Sequence, residues 1–258
     1  MFTERDRDTE YDESECTAIS LSDEETKCDS DGVKMDGQTV TITEGGTYLL
    51  TGSLSNGSVV VDTDKTEKVQ LILENVSIIN EEGAGICVEQ ADKVFITLAD
   101  GSTNKIVSNS FTGNEDTNID GAIFSREDLT LNGSGTLKIT SAAHGIVSKD
   151  DLVLTGGVYQ IQSEKQGLSG KESVRIADGT FTITSGTDAI HSEDTDEDTK
   201  GFVYITGGVL TLAAGGDGIS SSYVVQADGG SFDISTSSTE TDTSTKGIKA
   251  QKLSLIHI

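Results

Sequence analysis

Acidic side chains crowd two short stretches of this chain, and their spacing suits a hard cation. Glu193, Asp194, Asp196 and Asp198 fall within HSEDTDEDTKG (191–201), with Asp188 just upstream and three of the aspartates at alternate positions. Calcium takes about six to eight oxygen ligands, and alternating carboxylates on a flexible loop supply several of them. The run is not an EF-hand, because Thr199 stands where the turn glycine belongs and the closing glutamate is absent. NEDTNID (114–120) offers Asn114, Glu115, Asp116, Asn118 and Asp120 in the same manner. The plain alternative for both is a solvated acidic loop.

Cations recur on a period. Arg126, Lys149 and Lys171 stand beside the acids Glu127, Asp150, Glu172 and Asp194, with Arg175 a few residues further on. Such a strip suits docking of carboxylate-bearing ligands; the alternative is that the acidic column simply neutralises it. Tyr204, with Phe202 and Tyr223 near it in register, offers a ring face to a sugar. His144 and His191 are expected at corners, exposed and not catalytic.

These residues are positioned by a repeat. AHGIVSKDDLVLTGGVYQIQS (143–163) aligns with KQGLSGKESVRIADGTFTITS (165–185) at an offset of 22 residues, apolar on apolar and Gly on Gly. A fixed period of that size marks a solenoid. Each repeat holds three short runs of period-two alternation, so the sequence predicts an all-β, right-handed parallel β-helix of about 22 residues and three short strands per coil. Leu137, Tyr159, Phe181, Leu210 and Phe232 form one inward column, and Leu129, Leu152, Val174, Val203 and Val225 a second. Ile123, Ile146, Leu168, Ile190, Ile219 and Ile248 form a third, followed by the small residues Ser125, Ser148, Gly170, Ser192, Ser221 and Ala250 at a tight turn. Asp217 in GGDGIS then aligns with Asp188 in GTDAIHS, and two carboxylates roughly 5 Å apart in neighbouring coils repel unless a cation lies between them. Insertions break the period at 111–120, 191–201 and 236–247, and loops on a rigid solenoid are the usual carriers of function.

Composition narrows the partners. The formal charge of −26, from 18 basic and 44 acidic residues, argues against nucleic acid and anionic membranes. No apolar run approaches the roughly 20 residues of a membrane span. Residues 1–15 are charged throughout, show no export signal and read as disordered or as the remnant of a longer N-terminal region, ahead of a single domain over 16–253 that reads as a solenoid truncated at its C-terminal end. SLIHI closes the chain out of register, so residues 254–258 read as a non-native tail. Cys16 and Cys28 bracket a polar segment and are candidates for a small disulfide in an exported protein, with Cys87 a buried free thiol.

The runs DGAIFSREDLTLNGSGTL, AHGIVSKDDLVLTGG, GLSGKESVRIADGTFTITSG, DAIHSEDTDEDTKGFVYITGG and STKGIKA resemble those of the bacterial carbohydrate-binding domain proteins of clostridial and gut lineages. The resemblance covers roughly residues 12–252. It implies a pectate-lyase-like fold, calcium, a secreted or surface location, and non-catalytic binding of cellulose or acidic sugars of the plant cell wall, by a chain expected to be a monomer. Two other functions stand beside it. A polysaccharide lyase would need a base such as Lys149, Lys171 or Lys200 to abstract the proton at C5 beside a calcium. A passive surface stalk needs only the solenoid. The absence of Trp makes a flat aromatic platform for cellulose weak.

Overall fold

The computed structural model describes residues 1–112, 118–237 and 244–255, with side chains from 253 onward left aside. Its strands pair with partners one repeat away, almost all of them parallel, and lie in three sheets. One coil runs through Gly121–Ser125 in the first sheet, Asp128–Gly133 in the second and Thr136–Ser141 in the third, and the next through His144–Ser148, Asp151–Leu154 and Val158–Ser163. The registers reproduce the predicted columns. Leu137 pairs with Tyr159, Tyr159 with Phe181, Phe181 with Leu210, and Leu210 with Phe232. Ile123 pairs with Ile86 across the 37-residue gap, so the first insertion leaves the stack undisturbed.

Alternation makes this possible. Along Thr180–Ser185 the burial reads exposed, buried, exposed, buried, with Phe181 and Ile183 inward. The inward residues of all three sheets merge into one apolar cluster running from Ile19 to Val225. Tyr159 and Phe181 stack at 4.9 Å with planes 5° apart, as residues one strand spacing apart in a column must. Corners need small residues. A Cβ on Gly170 would lie 2.1 Å from the carbonyl oxygen of Ser173, so this position of the column, held by Ser or Ala250 in the other coils of the alignment, is restricted to glycine here. Two of the serine hydroxyls there bond the turn itself, Ser125 Oγ donating to the Glu127 carbonyl at 2.7 Å and Ser221 Oγ to the Val224 carbonyl at 3.0 Å.

Two predicted segments differ from expectation. Residues 1–8 are ordered: Glu4–Arg7 forms a helical turn with a Thr3/Asp6 capping box, and the segment straps the outward face of the second sheet. Asp6 is 1% exposed and pairs with Lys93 Nζ at 2.8 Å, an anchor that no local pattern announces. The final strand, Lys252–Leu255, pairs with Val224–Ala227 and runs across the expected boundary at residue 253. The expected tail residues 256–258 lie outside the described residues.

The three cysteines are free thiols. Cys16 and Cys28 line one recess of about 870 Å³ with Met35, but are not bonded. Cys16 Sγ donates instead to the Asp12 carbonyl at 3.2 Å.

Candidate functional site

The outward positions of the first sheet build a groove. Phe124, Val147, Ser169, His191 and Ser220 are successive occupants of its outward column. Between Phe124 and the 191–201 insertion lies a groove of about 410 Å³, with Val147, Ser169 and His191 as its floor, Lys149 and Lys171 along one wall and His144 and Gln166 along the other. Glu193 closes one end. At the other end the Phe124 ring is fully buried under Arg126 and Lys149, whose cations lie 5.4 and 5.3 Å from its centroid.

Each cation of the predicted strip has an acid of its own, and not the one expected. Arg126 Nε pairs with Glu89 at 2.6 Å, Lys149 Nζ lies 3.5 Å from Asp120, and Lys171 Nζ lies 2.7 Å from Asp196. In the adjoining acidic column Asp150 is left among like charges. Asp150 is pushed up to about 6 by burial and by the neighbouring charges of Asp128, Glu172 and Asp151. Glu172 is claimed by Lys200, which also reaches Glu197 at 2.8 Å. Hydrogen bonds to those two glutamates, and to Asp196 for Lys171, raise the pKa of both lysines, so each stays an ammonium.

Both histidines belong to the groove, and His144 is not the exposed corner residue expected. Its Nδ1 accepts the Gln166 N–H at 3.2 Å, which leaves the proton on Nε2, 3.5 Å from Asp120. Burial first, with Lys165, Lys149 and His191 adding to it and Asp120 opposing, lowers its pKa to about 4 and keeps the ring neutral. His191 contacts Asp188 at 2.9 Å through Nδ1 and Glu193 at 3.6 Å through Nε2. The two stand in different columns of the repeat: His191 is in the outward column of the first sheet, and His144 stands with Gln166 and Asp188 at the corner before it.

The predicted calcium ligands are near one another in sequence but not gathered in space. Asp188 accepts the Asp217 N–H at 2.7 Å and faces His191. Asp217 in turn accepts the Lys246 N–H at 2.7 Å, with Lys249 at 3.3 Å from its other oxygen. Asp194 caps its own turn by accepting the N–H groups of Asp196 and Glu197 at 2.7 and 3.0 Å. Asp196 goes to Lys171, Glu193 to His191, and Asp198 is exposed. Among the described residues no three His, Cys, Asp or Glu side chains gather as a metal would need. The 188–198 segment therefore does not fit a resident calcium; backbone N–H groups and cations already hold its inner carboxylates. Asp120 stands between His144 and Lys149, while Asn114, Glu115 and Asp116 lie outside the described residues.

Arg175 and Tyr204 lie apart from the groove, on the second sheet, where Ser173–Ile176 and Phe202–Ile205 pair. Arg175 bonds Asp151 and the Met1 carbonyl, and Tyr204 stacks on Phe2 at 5.8 Å while donating to Asp228 at 2.9 Å. The N-terminal strap covers both.

Known proteins share this architecture. Among the described residues no helix is long and apolar enough to cross a membrane. A polysaccharide lyase-like protein from C. thermocellum, solved as a gadolinium derivative, superposes with a TM-score of 0.87 at 32% identity, over 94% of this chain and 97% of that one. A carbohydrate-binding domain-containing protein of Acetivibrio thermocellus is 34% identical over 137 residues, 52% of this chain and 48% of the relative, so the match spans about half its length. The model of the same family matches residues 36–257, and this chain belongs to the family of carbohydrate-binding domain-containing proteins.

Proposed function

We propose that this chain binds acidic polysaccharide of the polygalacturonate type without cleaving it, along the groove of the first sheet. The observation that carries the reading is the pair Lys149 and Lys171 on one wall, 38% and 42% exposed, facing Gln166 and the neutral His144 across a floor of small and polar residues. Cations and amide donors in that order suit carboxylates and hydroxyls repeated along an extended chain. The coils are taken to wind right-handed, as nearly all parallel crossovers do. At −26 the body repels anionic polymer at long range, so binding rests on these local groups and on a location outside the cell, where such polymers occur.

The lyase reading is disfavoured by the same groups. Lys171 and Lys200 are held as ammonium ions by their carboxylates, and neither nitrogen of His144 is free to take a proton. Cellulose is disfavoured by the missing Trp and by the strap over Tyr204. Calcium assistance rests on the resemblance, and the gadolinium derivative of the structural neighbour motivates a cation arm in the test. Affinity electrophoresis in polygalacturonate should retard the parent, and Lys149→Glu with Lys171→Glu should remove most of the retardation without changing migration in hydroxyethyl cellulose. Running both with EDTA and with Ca²⁺ reads the cation arm. Absence of retardation under all conditions, with the fold intact, would leave the stalk reading.

A further inference from the structure

The strap of residues 1–8 adds nothing to the apolar core. None of its side chains belongs to the core cluster, and apart from the Phe95 and Tyr204 rings the groups it covers are mainly polar. Arg5 donates to Gln70 at 2.8 Å, Gln70 to Thr97 at 3.0 Å, and Thr97 to Asn132 at 2.7 Å. Asn132 Nδ2 donates to the carbonyls of Asp6 and Asp8 at 3.3 and 2.9 Å, and Thr155 donates to the Asp6 carbonyl at 2.7 Å. The Asp6 carboxylate accepts from Lys93 at 2.8 Å and from Thr130 at 3.0 Å. At the other end Arg175 donates to the Met1 carbonyl at 2.9 Å and Phe2 lies on Tyr204. Water satisfies such amides and hydroxyls about as well as a peptide does, so releasing the strap leaves the solenoid standing.

The strap runs along the solenoid axis. Its contacts pass from the strand Lys68–Leu73 to Phe202–Ile205, six neighbouring strands or roughly 24 Å. Over that length it presents a carboxylate, a series of carbonyl oxygens and an apolar ring face. A chain of uronic acids presents the same groups: carboxylates, hydroxyl and ring oxygens, and the apolar face of a pyranose against an aromatic ring. The match to the family begins at residue 36, so every residue that receives the strap lies inside the recognised domain and the strap lies outside it.

We infer that the outward face of the second sheet is a second binding site for acidic oligosaccharide, and that residues 1–8 occupy it in cis as a stand-in for the ligand. This rests on the reading that the chain binds acidic polysaccharide, but not on the first-sheet groove. A ligand for this face must displace the strap, so its apparent affinity is lowered by the fraction of molecules with the strap open.

Trypsin reads the strap directly, because Arg5 and Arg7 lie within it. In the full-length Lys149→Glu, Lys171→Glu variant, saturating oligogalacturonate should speed cleavage at Arg5 or Arg7 several-fold. A chain lacking residues 2–8 should bind the oligomer at least about ten-fold more tightly than that variant, and the octapeptide MFTERDRD added in trans should compete. Phe2→Ala with Asp6→Asn loosens the strap in the full chain and serves if the shortened chain does not fold. Unchanged cleavage together with unchanged affinity makes the strap a structural clamp and overturns the inference. Tight binding of the octapeptide that no oligomer displaces makes the face a peptide site, which overturns it equally. If only strap-released chains bind oligomer, the groove reading falls and this one stands; if no form binds, both fall.

Discussion

Replacing Tyr159 by Phe should stabilise this protein, although it removes a polar group from a stacked column. The Tyr159 side chain is fully buried between Leu137 and Phe181, and its hydroxyl has no hydrogen-bond partner among the described residues. Burial pushes the phenol pKa well up, so the group stays a neutral, desolvated hydroxyl. Leaving such a group unbonded costs about 1–3 kcal/mol, whereas the ring and its 4.9 Å stack on Phe181 survive in Phe. The next position of the column is already Phe181, so the shape is accommodated. The expected gain is about 1–2 kcal/mol, or a rise of roughly 2–4 °C per kcal/mol for a chain of this size. Solenoids need not unfold in one step, so urea unfolding should be followed by both tyrosine fluorescence and far-UV circular dichroism, with the midpoint rising at constant slope. A Tyr159→Phe protein less stable by about 1 kcal/mol at unchanged slope would refute the reasoning, since it would mean the hydroxyl is bonded in solution.

Asp6 makes strap docking sensitive to acid. Burial alone would raise its pKa, but hydrogen bonds from Lys93 and Thr3 outweigh it and hold the group at about 2 against an ordinary 3.8. A folded value below the unfolded one means the stabilisation, about 2 kcal/mol, is complete above pH 4 or so and disappears as pH falls towards 2. Amide exchange over residues 3–8 should therefore accelerate beyond its intrinsic pH dependence in that window, and Asp6→Asn should exchange fast throughout; equal protection in both proteins would show that the ion pair contributes nothing. Chelation should leave the melting temperature of the parent unchanged, because the inner carboxylates of 188–198 are already bonded, and Asp194→Ala should loosen that turn equally with and without Ca²⁺. A calcium-dependent melting temperature that Asp194→Ala with Asp196→Ala abolishes would instead establish a metal loop.

The sequence by itself determined the columns, because a stacked coil sets each residue against the one a repeat later. Leu152 over Val174 and Ile161 over Ile183 are contacts between chain positions 22 apart, so the tertiary register is written as periodicity. Insertions show as departures from that period without moving the stack, which is why Ile86 and Ile123 still pair. What periodicity does not encode, only the tertiary structure decided. The cations were legible but their partners were not, since a flexible lysine chooses among several acids within reach: Lys171 takes Asp196 on the inserted loop and leaves Asp150 to its like-charged neighbours. The neutral, half-buried state of His144 comes from its burial and from Lys165, Lys149 and His191 around it, against the opposing charge that the first insertion returns at Asp120. The strap is the extreme case, because Asp6 meets Lys93 and Thr155 across 87 and 149 residues. Contacts made once, between an irregular segment and a regular face, leave no repeat to read; they are selected by shape and hydrogen bonding against a face that the coils build.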